Sequence, residues 1–312
     1  MLGFTIKRIC TAIPTLLVVL VIVFFLIRLN PGDPAEVMLG EYATPEALAQ
    51  LRHQLGLDQP LWVQFGIFIG GALQGDFGRS LMSHQAVIRE IGGALPYSLQ
   101  LAAVSVLLSI VVGVPIGILS AVKSNSLLDY VTMTAALIGV SMPIFWFQIL
   151  LLLVFSLYLG LFPVVGAGEA GNLGDLLHHL ALPAVSLGLH MSAIIARMTR
   201  SSMLEVLSQD YIQTARAKGL RELRVIVVHG FRNAAIPVLT IIGINLGVML
   251  GGAVVTETVF VRPGVGKLMV DAIFSRDYPV VQGCIVFFAF AFIVVNLIVD
   301  LLYGVFNPRV KH

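Results

Sequence analysis

The chain has 312 residues, of which 58% are hydrophobic and only 12% charged, with a formal net charge of +2. Soluble domains carry roughly twice that density of charge. Too few charged groups are present to clothe a water-facing surface, which excludes a soluble enzyme or nucleic-acid binder and leaves lipid as the natural solvent for the exterior.

Six stretches contain no Asp, Glu, Lys or Arg and are long enough to cross a bilayer: Ile9 to Ile27, Pro96 to Val122, Tyr130 to Gly168, Leu176 to Ala196, Asn233 to Thr256 and Tyr278 to Val299. At 1.5 Å per residue, a hydrocarbon core of ~30 Å needs ~20 helical residues. Backbone groups inside lipid must be satisfied within their own segment, so helices are expected throughout. The first stretch follows Lys7-Arg8, as a signal peptide would. It is long for one, and no small-x-small cleavage site precedes Asn30-Pro31-Gly32-Asp33-Pro34, so a retained anchor covering residues 1–29 is expected.

Residues 30–95 form a small external subdomain between spans one and two. A polar helix is predicted from Pro45 to Leu55 with Thr44 as its N-cap, and a turn at Gly75-Asp76-Phe77-Gly78. Residues 96–312 then hold a five-helix core with an inside loop over 200–232. Gly113 and Pro115 in span two, like Gly139 and Pro143 in span three, mark kinks or close helix contacts, with close packing as the default. The third stretch exceeds one span, and Gly160, Pro163, Gly166 and Gly168 place the end of its helix near Leu161. Cys10 and Cys284 both lie in apolar runs and read as packing thiols.

The distribution of charge sets the orientation. With the N-terminus inside and six alternating spans, 12 of the 19 basic residues fall on the cytoplasmic side, against Asp129, Glu205, Asp210 and Glu222 as acids. The outside receives seven basic residues and 12 acids. This positive-inside bias predicts an all-α membrane protein with both termini inside.

Several motifs invite catalytic readings that fail on context. Gly166-Ala167-Gly168-Glu169-Ala170-Gly171 matches G-x-G-x-x-G, yet it follows a membrane span rather than a strand and reads as a flexible turn. Pro263-Gly264-Val265-Gly266-Lys267-Leu268 resembles the end of a phosphate loop, but the first glycine is missing and Leu268 replaces the magnesium-holding Ser or Thr. No ATP site, cofactor site or metal site is therefore expected in this chain. His178-His179 lacks further ligands at metal spacing and reads as an interfacial pair.

The inside loop between spans four and five is the most informative segment. Asp210 with Gln213 three residues on forms a capping-box pattern. Gly219 suits the left-handed position just past a helix, and Arg216 and Lys218 occupy a last turn where the helix dipole favours cations. A helix of about two turns, Tyr211 to Lys218, is predicted on the cytoplasmic surface. By its physics alone it reads equally as an ordinary surface helix.

This segment resembles the EAA loop of ABC importer permeases, in which Glu-Ala-Ala and three further residues precede a glycine. The aligned positions are Gln213, Thr214, Ala215, Arg216, Ala217, Lys218 and Gly219. Gln213 and Thr214 depart from the general pattern, and His229-Gly230-Phe231-Arg232-Asn233-Ala234 stands where an Ile-x-Leu-Pro element is expected. Those departures are similar to the dipeptide, oligopeptide, glutathione and nickel branch. So are Asn30-Pro31-Gly32-Asp33-Pro34, Leu55-Gly56-Leu57-Asp58-Gln59-Pro60-Leu61, Gly75-Asp76-Phe77-Gly78, Glu257-Thr258-Val259-Phe260 with Pro263-Gly264-Val265-Gly266, Arg276-Asp277-Tyr278-Pro279-Val280-Val281-Gln282 and Asn296-Leu297-Ile298-Val299-Asp300-Leu301-Leu302. Each is weak alone, but their joint order across nearly the whole chain is specific.

The resemblance implies a type I ABC importer permease fold in a bacterial inner membrane. It implies as partners a second homologous permease, two ABC ATPase subunits that bind ATP and magnesium, and a periplasmic solute-binding protein. The helix around Asp210, Tyr211, Gln213, Thr214, Ala215, Arg216, Ala217, Lys218 and Gly219 would then be a coupling helix seated in an ATPase cleft. Within the spans, Gln148, His190, Asn245, Asn296 and Asp300 are candidates for the solute pathway or its gating, against the alternatives of bundle-facing polar groups and, for Asp300, simple ion pairing. A self-contained secondary transporter or channel is the other class of reading; the inverted repeat or paired midplane charges it calls for are not evident.

Overall fold

The computed structural model describes residues 2–29, 34–40, 43–54, 56–169 and 171–306. Among them the chain is helical almost throughout. Helix α1 spans Leu2–Leu29; the external segment holds α2 (Pro34–Leu39), α3 (Pro45–Gln54) and α4 (Leu61–Gln74). Thr44 caps α3 as expected, its hydroxyl accepting from the Ala47 amide at 3.3 Å. The long helices follow: α5 (Val87–Val122), α6 (Leu127–Ser141), α7 (Ile144–Leu151) continued by a π-helical turn over Leu152–Tyr158, and α8 (Leu173–Leu207). Then come α9 (Asp210–Ala217), α10 (Glu222–Arg224), a second π-helical turn at Val225–Phe231, α11 (Arg232–Val259), α12 (Val265–Phe274) and α13 (Tyr278–Phe306).

Among the described residues four helical runs are long and apolar enough to cross a membrane, and the α6–α7 pair makes a fifth if its two arms count as one span. The two arms meet at 106°. The residue before a proline is driven out of the helical region, and Met142, just ahead of Pro143, is extended at φ −78° and ψ 134°. Pro143 therefore bends its span, whereas close packing was the expected default. The helix beyond it ends at Tyr158, close to the predicted Leu161. Other spans overrun their uncharged stretches: α5 begins at Val87, ahead of Pro96, and α8 continues past Ala196 to Leu207.

Helices α5 and α8 form the centre of the bundle, and glycines set their separation. A Cβ on Gly113 would lie 2.7 Å from the Ser192 carbonyl oxygen, and one on Gly117 would lie 2.5 Å from Thr199 Cβ. This Gly-x-x-x-Gly stripe lets two backbones approach where any larger residue would hold them apart. Gly139 has only ordinary contact distance, 4.0 Å, to Ala193 Cβ. Around this pair α11 packs on α8, and α13 packs on α11, α12 and α1.

Candidate functional site

Helix α9 occupies the predicted cytoplasmic loop, one residue earlier than expected. Asp210 is its first residue and Gln209 its N-cap, with no side-chain hydrogen bond at the cap. The predicted capping box is therefore absent, because Asp210 already has helical geometry and its carboxylate acts as a first-turn acid facing the helix dipole. Gly219 does terminate the helix, at φ +76°, and donates its amide to the Arg216 carbonyl at 2.9 Å.

Two residues seat α9. Ile212 and Ala215 are buried and pack with Val225 against Leu207 and Leu220. Their spacing of three puts both on one face. Asp210, Tyr211, Gln213, Thr214, Arg216, Ala217, Lys218 and Gly219 are all exposed. Polar ties fix the orientation: Arg216 pairs with Glu222 at 2.7 Å, and Asn233 Nδ2 donates to the Tyr211 hydroxyl at 2.8 Å and to the His229 carbonyl at 3.1 Å. The Arg216 guanidinium is held above its ordinary range by its hydrogen bonds to Glu222. The segment His229–Ala234, a departure from the general family pattern, thus supplies a backstop for α9.

In the bundle interior, Gln148 is paired with residues that the sequence did not single out. Gln148, fully buried on α7, donates to Thr256 Oγ1 at 2.7 Å on α11 and to Ser186 Oγ at 3.4 Å on α8. Sequence reasoning missed Ser186 and Thr256, because a hydroxyl in an apolar run normally bonds its own helix. Gln148 Oε1, His190 Nδ1 and Asn245 Nδ2 are buried without a hydrogen-bond partner among the described residues. Asn296 turns its amide onto the Phe292 carbonyl of its own helix at 2.9 Å. The Asp300 side chain lies outside the described residues. Where the α6–α7 span bends, exposed Leu137, Ile138, Phe145 and Trp146 line an apolar cleft of about 660 Å³.

A third cluster lies at the other end of α11, and sequence reasoning did not foresee it. The Glu257 carboxylate is fully buried and accepts from Ser98 Oγ at 2.6 Å, the Gly266 amide at 2.7 Å and the Lys267 amide at 3.2 Å. A Cβ on Gly264 would come within 2.1 Å of the Glu257 carboxyl carbon. The loop that looks like a phosphate cradle is an anion cradle at a helix N-terminus, and its anion is a side chain of this chain. Beside it Arg262 is fully buried; its Nη2 donates to Gln100 at 3.0 Å and its guanidinium lies 5.6 Å from the Tyr97 ring centroid. His178 and His179, read as an interfacial pair, bond the Leu161 carbonyl at 2.7 Å and the Asp175 carbonyl at 2.9 Å respectively.

Long apolar helices around a glycine-packed centre, a broken span and a short amphipathic helix displayed beyond them define a multi-pass membrane protein. The chain belongs to the family of binding-protein-dependent transport system inner membrane components, whose model matches residues 113–312, with the N-terminal model of the same family matching residues 1–102. It is 44% identical to the dipeptide transport system permease protein DppB of Escherichia coli K12, over 100% of this chain and 99% of that protein. It is 45% identical to the glutathione transport system permease protein GsiC of Salmonella choleraesuis, over the full length of both. Among solved structures, an inward-facing MetNI methionine ABC transporter chain matches with a TM-score of 0.59 at 17% identity, covering 70% of this chain and 96% of that one, a likeness of fold. The chain is a permease subunit of an ABC importer, in the branch with dipeptide and glutathione permeases, and a transport subunit rather than an enzyme.

Proposed function

We propose that this permease moves a short peptide, delivered by a periplasmic binding protein, across a bacterial inner membrane with energy supplied by separate ATPase subunits. In this reading α9 is the coupling helix, docked through its exposed face into an ATPase that binds ATP and magnesium. The observation that carries it is the division of α9 into a seated face, Ile212 and Ala215, and an otherwise exposed one ending at left-handed Gly219. A rigid helix held from one side can transmit partner movement only if each packing of the bundle binds that partner differently. Full assembly has a second homologous permease and two ATPases. Gln148, with His190 and Asn245, lies on or beside the solute path, since unsatisfied polar groups inside a membrane bundle mark functional positions. Asn296 and Asp300 belong to the same proposal on sequence grounds. Six spans with both termini inside follow from the charge bias, with α1 as the first span and residues 30–95 as the external subdomain.

Uptake of a labelled dipeptide, of glutathione and of nickel in a strain lacking this chain tests the cargo. Dipeptide uptake is expected to fall and to return with the gene, and intact dipeptide uptake alongside loss of another solute refutes the assignment. Orientation is tested by single cysteines introduced as Glu46→Cys, Glu169→Cys, Ser208→Cys and Arg309→Cys. The first two are expected to react with an impermeant thiol reagent added outside, the last two not, and reversed labelling refutes the topology.

A further inference from the structure

The inner ends of α6 and α8 are joined by an ion pair of unusual completeness. Arg200 Nε and Nη2 donate to Asp129 Oδ1 and Oδ2, each at 2.6 Å. The two parallel bonds form a fork that fixes orientation as well as distance. Asp129 is only 2% exposed, and its Oδ2 also accepts from the Asn125 amide at 3.0 Å, so the carboxylate is committed on both oxygens. One turn further along α6, Thr132 meets buried Ser120 of α5 at 2.6 Å. Such a pair, with Asp129 buried and Arg200 partly so, contributes little stability relative to apolar side chains of the same volume, and its fork geometry favours one arrangement of the two helices. The arrangement it specifies is therefore the point of interest.

Arg200 stands on the same unbroken helix that ends at Leu207, where Leu207 itself forms part of the seat of α9. Asp129 stands at the start of the arm that leads to the 106° break and then to Gln148 on Thr256. Thus a displacement of α9 reaches α8 through packing, while α6 has the Asp129–Arg200 fork as its charged tie to α8. We propose that Asp129 and Arg200 are positioning residues for transport, a clamp that carries movement of α9 through α8 into the broken span α6–α7. This rests on the reading of α9 as the coupling helix.

The test uses the complete transporter, with partner permease, ATPases and binding protein in liposomes. The permease carries Cys10→Ala, Cys284→Ala and Trp146→Cys, the last placing a thiol on α7 beside the break, where Trp146 is 45% exposed. Maleimide labelling of that thiol is compared without nucleotide and after vanadate trapping. Coupling of the usual size predicts a rate ratio of about fivefold or more in this background. Asp129→Asn and Arg200→Gln are each expected to bring the ratio close to one while trapped nucleotide and ATPase recovery stay unchanged. Retention of the full ratio in both chains, or no ratio in the parent, overturns the clamp. Should the neutral chains fail to assemble, Arg200→Lys, which keeps the charge and loses the fork, replaces them in the same measurement with the same two readings. The coupling-helix reading is scored separately by ATPase recovery with Gly219→Val, so failure of the clamp is told apart from failure of that reading.

Discussion

The two ends of the bundle handle charge in opposite ways. At one end, α9 rests on a small apolar seat of Ile212, Ala215 and Val225, and leaves its polar residues exposed. At the other, Glu257 and Arg262 are fully buried and are met by side chains of α5, distant in sequence, and by amides at the start of the neighbouring α12. Full burial of one Ile side chain stabilises by ~1.5–3 kcal/mol, enough to hold a two-turn helix in place without hiding its surface. Hydrogen bonds to a buried carboxylate contribute ~1.5–3 kcal/mol each, and leaving the cradle unfilled strands two backbone amides. Helix α9 is built to be displayed, and the Glu257 cluster to be kept closed.

Perturbation at each end should therefore give different phenotypes. The largest effect is expected from Glu257→Ala, which removes three hydrogen bonds at once, each of ~1.5–3 kcal/mol. Detergent-extracted protein should lose its monodisperse peak and melt at lower temperature; an unchanged melting temperature would mean that the Glu257 cluster is no brace. Ala215→Pro comes next, removing a backbone donor in α9 at a cost of ~3 kcal/mol or more. Here membrane insertion and melting should stay near wild type while uptake disappears, and a fall in yield matching the fall in uptake would blur the contrast between the ends. Gly219→Val places a branched residue at φ +76° and costs ~1–2 kcal/mol. It should weaken recovery of the ATPase with the permease, and full recovery of both ATPase and uptake would return α9 to an ordinary surface helix. Arg216→Ala is expected to change stability least, because its pair with Glu222 is half exposed and screened by water; melting measured at low and high salt should barely differ from wild type.

What could be read in advance divides along the same line. The α9 helix, its end at Gly219 and its surface position follow from local chemistry, since a turn of helix and a left-handed glycine need only near neighbours. Its first residue did not, because Asp and Gln three apart satisfy a capping box and a first-turn acid equally well in sequence. The Glu257 cluster was opaque. Ser98 and Glu257 meet across 159 positions, and a carboxylate at the end of an apolar run looks like a water-facing charge until its acceptors are filled by a loop that itself looks like a nucleotide motif.

Composition and the spacing of uncharged stretches determined that this chain lives in lipid as a bundle of helices, because the bilayer sets length and polarity with no reference to fold. The ordered motifs determined its family, since they need only linear order. Tertiary structure alone decided that Pro143 bends its span by 106°, that Gly113 and Gly117 bring α5 against α8, and that Asp129 reaches Arg200. The last two depend on which helix stands opposite. Hydropathy gives a helix its length but no partner, and in lipid, where every apolar face is equally solvated, the choice of partner falls to close packing and a few buried polar contacts.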